Sequence, residues 1–316
     1  MNRKGNRISL PGYALPVKTS KMKTRILTTA YRAGMPIMLA AMIALSGCAA
    51  KKAAWGSLEK GMIMKYAAVP GQDMKYRGTM SMEQKMDVMG QEFAITADAE
   101  QLFRFQLQSG NGNNLDYTVT LEEMTSAIHT PRGDMDAKLE GAIGKSFSMT
   151  INPWGKELEI NGADEIMYDY GMGDMKSISG DVMAFFPDLP GYPVRPGDSW
   201  SSTDSVTENS TSTEMLLVFN NTNTFEKLET VNGHECMKIN VTYTGTIEGE
   251  GTQEGMELYT TGELSGKGTW YYAYKEGIFV KQEMEGTGKT NTQVKGPQEM
   301  TIPAVRNYNM QTVLVE

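Results

Sequence analysis

The feature that most constrains this chain is a two-residue alternation that recurs along most of its length. Met74, Tyr76, Gly78, Met80, Met82, Gln84, Met86 and Val88 share one parity, while Lys75, Arg77, Thr79, Ser81, Glu83, Lys85 and Asp87 hold the other. Successive side chains of a strand point to opposite faces, so the pattern predicts a long strand with one dry face and one wet face. It returns at Phe103, Phe105 and Leu107, at Tyr117, Val119 and Leu121, at Met135, Ala137 and Leu139, and at Phe147, Met149 and Ile151. The second half repeats it at Met215, Leu217 and Phe219 and at Trp270, Tyr272 and Tyr274. Breaks such as Gly110-Asn111-Gly112, Asn161-Gly162 and Asn232-Gly233 separate the runs. Alternation between turn residues predicts an all-β, mainly antiparallel protein.

The two halves align when one is slid along the other. Pro70-Gly71 matches Pro196-Gly197, the run Asp116-Tyr117-Thr118-Val119-Thr120 matches Asn240-Val241-Thr242-Tyr243-Thr244, and Gly144-Lys145 matches Gly266-Lys267. The turn Asn152-Pro153-Trp154-Gly155 matches Tyr274-Lys275-Glu276-Gly277. Landmarks in the same order predict a duplicated curved sheet, either a half-barrel or a sandwich. The first repeat is set at residues 61–162, the second, with a closing strand over 305–315, at 196–316. Between them, residues 163–195 form an apolar insert. Residues 179–186 are its helix candidate, with Ser179 or Asp181 as cap and Pro187 as stop. Phe185, Phe186, Leu189 and Tyr192 make the insert too apolar to lie in water, and Pro187, Pro190, Pro193 and Pro196 stiffen it.

Ahead of the repeats the chain is of another kind. Residues 33–45 are almost wholly apolar, and the stretch before them is basic and acid-free. That run is short for a membrane span, which takes about 20 apolar residues. A basic region, a short apolar core and small residues at a cut site describe a secretory signal over residues 1–47, and Met22 also offers a start that leaves a full signal layout. Leu45-Ser46-Gly47-Cys48 resembles the lipobox of bacterial lipoproteins, complete over its four positions. The resemblance implies that the Cys48 thiol takes a diacylglyceryl group, that the leader is cut before Cys48, and that its new amine is acylated. Two or more chains anchor a protein stably where one does not. Ala49 and Ala50 stand where an Asp would favour inner-membrane retention, so the resemblance implies the outer membrane. Residues 48–60 are then a lipidated tether.

Positions 1–47 hold eight basic residues and no acid, so 22 of the 30 basic residues and all 38 acidic ones remain after cleavage, a net of −16. Such a surface repels phosphate backbones, which argues against nucleic-acid binding. With Cys48 acylated, Cys236 has no partner for an intramolecular disulfide. It alternates out of phase with Met237, Ile239, Val241 and Tyr243, and reads as a small core residue of a strand rather than a reactive thiol or a metal ligand beside His234.

Catalytic constellations are scarce. His129 and His234 are the only histidines, and neither a nucleophile elbow, a zinc-protease motif nor a phosphate loop is present. Glu122-Glu123 and Asp134/Asp136 read as solvated strand faces before they read as glycosidic acids. No catalytic residue and no cofactor is expected. The 25 methionines fall largely on the apolar parity. Met62-x-Met64 and Met80-x-Met82 have the thioether spacing of copper(I) handlers, yet Met also fills irregular cores and lines adaptable ligand surfaces.

Long antiparallel strands with one apolar insert resemble the half-barrel carriers that move lipids or lipoproteins through bacterial envelopes. That resemblance is architectural, without a diagnostic motif, and extends to envelope lipoproteins without a described function. It implies a non-enzymatic, lipid-anchored protein holding an apolar or lipid-like ligand in a concavity closed by residues 181–192. Candidate lining residues are Met80, Met82, Met86, Phe103, Phe105, Phe185, Phe186, Trp270 and Tyr272. The alternatives are an interaction lipoprotein with a closed core that docks an envelope partner, and a Met-based copper(I) binder. A cavity of several hundred Å3 discriminates the first from the second.

Overall fold

The alternating runs are strands of one large antiparallel sheet. The computed structural model describes residues 55–67, 71, 73–109, 114–171, 174–297 and 299–315. The leader, the Leu45-Ser46-Gly47-Cys48 motif and the Gly110-Asn111-Gly112 break lie outside the described residues.

Two short strands, β1 (Gly56–Ser57) and β2 (Gly61–Met62), pair with each other ahead of the repeats. Residues 61–162, the expected first repeat, carry β3 (Asp73–Val88), β4 (Gln91–Ser109), β5 (Leu115–Thr130), β6 (Gly133–Asp136), β7 (Ser146–Ile151) and β8 (Glu157–Asn161). The insert carries the small hairpin β9 (Met167–Asp169) and β10 (Met175–Ser177) and one helical turn, α1 (Ser179–Val182). The second repeat contributes β11 (Ser199–Asn209), β12 (Thr213–Val231), β13 (His234–Gln253), β14 (Met256–Ala273), β15 (Ile278–Lys295) and β16 (Met300–Leu314).

The order across the sheet is β11-β12-β13-β14-β15-β16-β3-β4-β5-β7-β8, with β6 on the outer part of β5. The last strand thus pairs with the first long one, Leu314 opposite Tyr76 and Ala304 opposite Met86. The sheet curls but does not close into a barrel, for β8 and β11 end the path. The matched pentapeptides lie in β5 and β13, whereas Gly144-Lys145 precede β7 and Gly266-Lys267 lie within β14.

Turn chemistry explains why the strands are long. Met89-Gly90, Asn232-Gly233 and Glu254-Gly255 all have positive φ at both residues, 56° and 79°, 51° and 83°, and 51° and 79°. Paired left-handed residues make the two-residue turn whose twist matches the strands it joins. Three bulges then bend the sheet at one level. The extra residues are Glu122 in β5, Glu226 in β12 and Val280 in β15. A bulge kinks its strand and increases the local twist.

Below that level the concave face is packed shut. Tyr76, Phe103, Phe105, Trp270, Tyr272 and Phe279 are buried there, together with Met62, Met64 and Tyr66 from the segment after β2. The insert fills the centre. Phe185 stands 4.7 Å from Phe105 and 5.4 Å from Tyr76, and Phe186 stands 5.2 Å from Phe185 and 5.4 Å from Tyr66. Polar ends of buried rings are satisfied: Tyr76 Oη donates to the Phe279 carbonyl at 2.8 Å and Tyr66 Oη to the Pro187 carbonyl at 3.0 Å.

The expected helix over 179–186 is corrected to a single turn that stops at Val182. Neither Ser179 nor Asp181 caps it; Ile178 occupies the cap position without a side-chain bond. Asp181 instead accepts hydrogen bonds from Tyr168 Oη, Gln101 Nε2 and Lys176 Nζ at 2.9, 3.0 and 3.0 Å. Ala184, at φ 55°, turns the chain out of helical geometry and delivers Phe185 and Phe186 to the core. Burial of two aromatic side chains, about 2–3 kcal/mol each, outweighs a few residues of helix propensity at a few tenths each.

Candidate functional site

Above the bulges the same face opens. Cross-strand pairing puts Val241, Gly268, Met284, Met310, Met80, Ala99 and Ser126 side by side in one register row from β13 to β5. That row, with its chain neighbours, lines a concavity of about 990 Å3. Its position follows from side-chain size. The row holds no aromatic and no charged residue, whereas the row beneath contains Trp270 and the row above contains Tyr243 and Tyr308. Small residues and flexible thioethers leave space that rings would fill.

The floor and the outer rim are both fixed. Trp270 Nε1 donates to Asn223 Oδ1 at 3.0 Å, and both residues are buried. Toward the far rim Tyr243 lies flat across Gly266 and Gly286, where any Cβ would collide with its hydroxyl end. Its hydroxyl donates to the Glu285 carbonyl at 3.0 Å and stands 2.9 Å from Tyr308 Oη. Glycines facing inward here let the ring press against the wall rather than stand in the concavity.

Met80 and Met310 are 37% and 40% exposed within this space. A directly opposed pair of inward methionines left open to solvent is an adaptable apolar surface. Met82 and Met86 lie on the same face further out, half-buried. Phe103, Phe105, Phe186, Trp270 and Tyr272, expected in the lining, are core residues beneath it, and Phe185 packs against that core. The insert accordingly plugs the closed end and does not cover the concavity. Met284, Met310, Val241, Gly268, Ala99 and Ser126 were not singled out from sequence. Their small or thioether side chains are visible there, but the β16–β3 pairing that aligns them is not.

The methionine pairs separate in the structure. Met62 and Met64 are buried in the core. Met80 and Met82 point to the same face two residues apart, and the sulfur of Met284 rests on Gly268, away from Met310. Among the described residues no group of three or more His, Cys, Asp or Glu is placed to hold a metal ion.

The opposite face of the sheet is charged. Glu122 pairs with Lys75 at 3.2 Å and Arg104 at 3.2 Å, Glu123 with Arg77 at 3.3 Å, and Asp134 with His129 at 2.7 Å. Glu122, Glu123 and Asp134 are therefore members of ion pairs on the wet wall. A wall facing lipid carries an apolar band instead. Cys236 is buried, its thiol is pushed up to about 12 by burial, and its Sγ lies 3.6 Å from the His234 carbonyl. That is an inert core thiol.

A separate polar cluster sits where the sheet's two ends approach. Lys156 Nζ lies 3.3 Å from Asp204 Oδ1, 4.0 Å from Asp188 Oδ2 and 3.3 Å from the Thr203 carbonyl. Burial raises the Asp188 carboxyl to about 6, with Asp204 beside it adding to the effect. Burial likewise raises Glu157 to about 7, and its Oε1 is buried without a hydrogen-bond partner.

No family model and no curated protein matches the chain. Solved structures do align. An inferred exported protein with a YmcC-like fold from Bacteroides fragilis is 12% identical over 79% of this chain and 97% of its own, with a TM-score of 0.23. The COG4313 outer membrane channel of Pseudomonas putida F1 is 10% identical over 78% and 97%, with a TM-score of 0.22. OccD3 of Pseudomonas aeruginosa is 7% identical over 81% and 95%, with a TM-score of 0.25. At these scores the likenesses carry no argument about function.

Proposed function

We propose that this chain is a non-enzymatic lipoprotein of the bacterial envelope that binds an apolar or lipid-like molecule in its concavity. The observation that carries the reading is the single register row of Met80, Met284, Met310, Val241, Gly268, Ala99 and Ser126 around about 990 Å3 of space. Pockets of 300–1,000 Å3 with mainly apolar walls are the ordinary size for a small organic ligand. Flexible thioethers suit a ligand whose shape varies, as acyl chains do. The volume favours this reading over an interaction protein with a closed core.

The membrane connection in this reading is the acylated Cys48, with the outer membrane as its destination. The charged outer wall, with Lys85, Lys267 and Glu285 exposed, supports a tethered body in water over one inserted in lipid. The acidic net charge supports partners other than nucleic acid.

The test is displacement of N-phenyl-1-naphthylamine, a probe that brightens in apolar surroundings. The full chain should enhance its emission, and palmitate or a lysophospholipid should reverse the gain. Met80→Trp and Ala99→Trp, which fill the row from two strands, should abolish it. Enhancement that survives both substitutions would place the binding elsewhere, and no enhancement would remove the proposal.

A further inference from the structure

A second cleft, of about 260 Å3, lies outside the concavity at the meeting of the β7–β8 turn, the insert and β11. Two large aromatics stay open there: Trp154 is 42% exposed and Tyr192 52%. Full burial of such side chains is worth about 2–3 kcal/mol each, so their exposure is a cost the fold leaves standing.

The indole is not left out by looseness. Asn152 Oδ1 accepts the backbone N–H groups of Trp154 and Lys156 at 2.9 and 3.1 Å, and the Trp154 carbonyl accepts from Leu189 N at 2.8 Å. Gly191, at φ 69°, comes so close to the indole that a Cβ would stand 3.1 Å from Nε1. Trp200 Nε1 donates to the Asp188 carbonyl at 3.0 Å and fixes the back of the cleft. The remaining lining sets Leu189 and Pro190 beside the polar Lys156, Asp188, Ser201 and Ser202.

Open aromatic rings beside carboxylate, amine and hydroxyl groups match a ligand with apolar faces and a hydroxylated edge. We infer that this cleft binds a pyranose ring of a saccharide, stacked on Trp154 and Tyr192 and hydrogen-bonded by Asp188, Lys156, Ser201 and Ser202. Charge narrows the class. One cation, Lys156, faces three carboxyl groups, Asp188, Asp204 and Glu157, so neutral or amine-bearing sugars fit and uronates or phosphosugars are repelled.

Saturation-transfer NMR on the purified full chain tests this with chitotriose, its deacetylated trimer, trigalacturonate and a proline decapeptide as probes. Transfer is expected to the ring protons of the first two and not to the others. Trp154→Ala and Tyr192→Ala should each weaken binding about tenfold or more, the loss of roughly one stacking contact. Trp154→Phe should retain most of it, and Met80→Trp, in the concavity, should change nothing. No transfer to either amino-sugar trimer at millimolar concentration would overturn the inference. So would transfer that survives both alanine variants, equal binding of trigalacturonate, or binding of the proline peptide alone.

Discussion

Glu157 is the residue whose charge the fold most disfavours. Its carboxyl is pushed up to about 7 by burial, with Asp204 and Asp188 nearby adding to the rise. In the unfolded chain it titrates near the ordinary value of about 4.3. A raised carboxyl contributes stability that is full below the unfolded value and is lost as pH rises through the folded one. Asp188, raised to about 6, acts in the same direction. Between about pH 4.5 and 7 the protein should therefore lose on the order of 2 kcal/mol from this seam. Glu226 and Glu235 are held below their usual value by Lys238 and Lys275, and their effect falls at lower pH. Chemical unfolding at pH 5 and pH 8 checks the sign: Glu157→Gln should flatten most of the difference. A steeper fall in the variant would contradict this, since it would mean that the folded state favours the ionised Glu157.

Elements show where sequence reasoning reached and where it stopped. Period-2 runs were enough to place β3, β4, β5, β12 and β14, because a one-residue slip would put every inward side chain in water. The Asn232-Gly233 turn was also readable. Met89-Gly90 and Glu254-Gly255 adopt the same conformation, but Met and Glu are poor signals for a left-handed residue. The helix was over-read because local capping residues said nothing of the demand for Phe185 and Phe186 in the core. The concavity was only partly legible. Its methionine on β3 stood out, whereas its other walls depend on pairing the first long strand with the last, a contact over more than 200 residues that no local pattern encodes. Inward glycines were the available clue to a wall that rings lie against. Gly286→Ala tests that wall. A methyl there meets the Tyr243 hydroxyl and the Tyr308 ring, so the variant should lose about 1–3 kcal/mol in urea unfolding, the usual range for overpacking. An unchanged midpoint would show that the two tyrosines move aside freely.

The molecule as a whole joins a proposed lipid anchor to a sheet that is packed at one end and open at the other. Cys48→Ser should lose the acyl chains and keep its leader uncut, both read by intact mass. A variant that is processed and still sediments with membranes would remove the anchor from the account without touching the concavity. Ligand binding in that concavity is the claim on which the functional reading depends, and native mass spectrometry of the full chain released from membranes in mild detergent tests it most directly. The account predicts a species heavier than the anchored polypeptide by one apolar molecule, lost in Met80→Trp while the variant's unfolding midpoint stays close to that of the parent. A single mass equal to polypeptide plus anchor, in parent and variant alike, would contradict it.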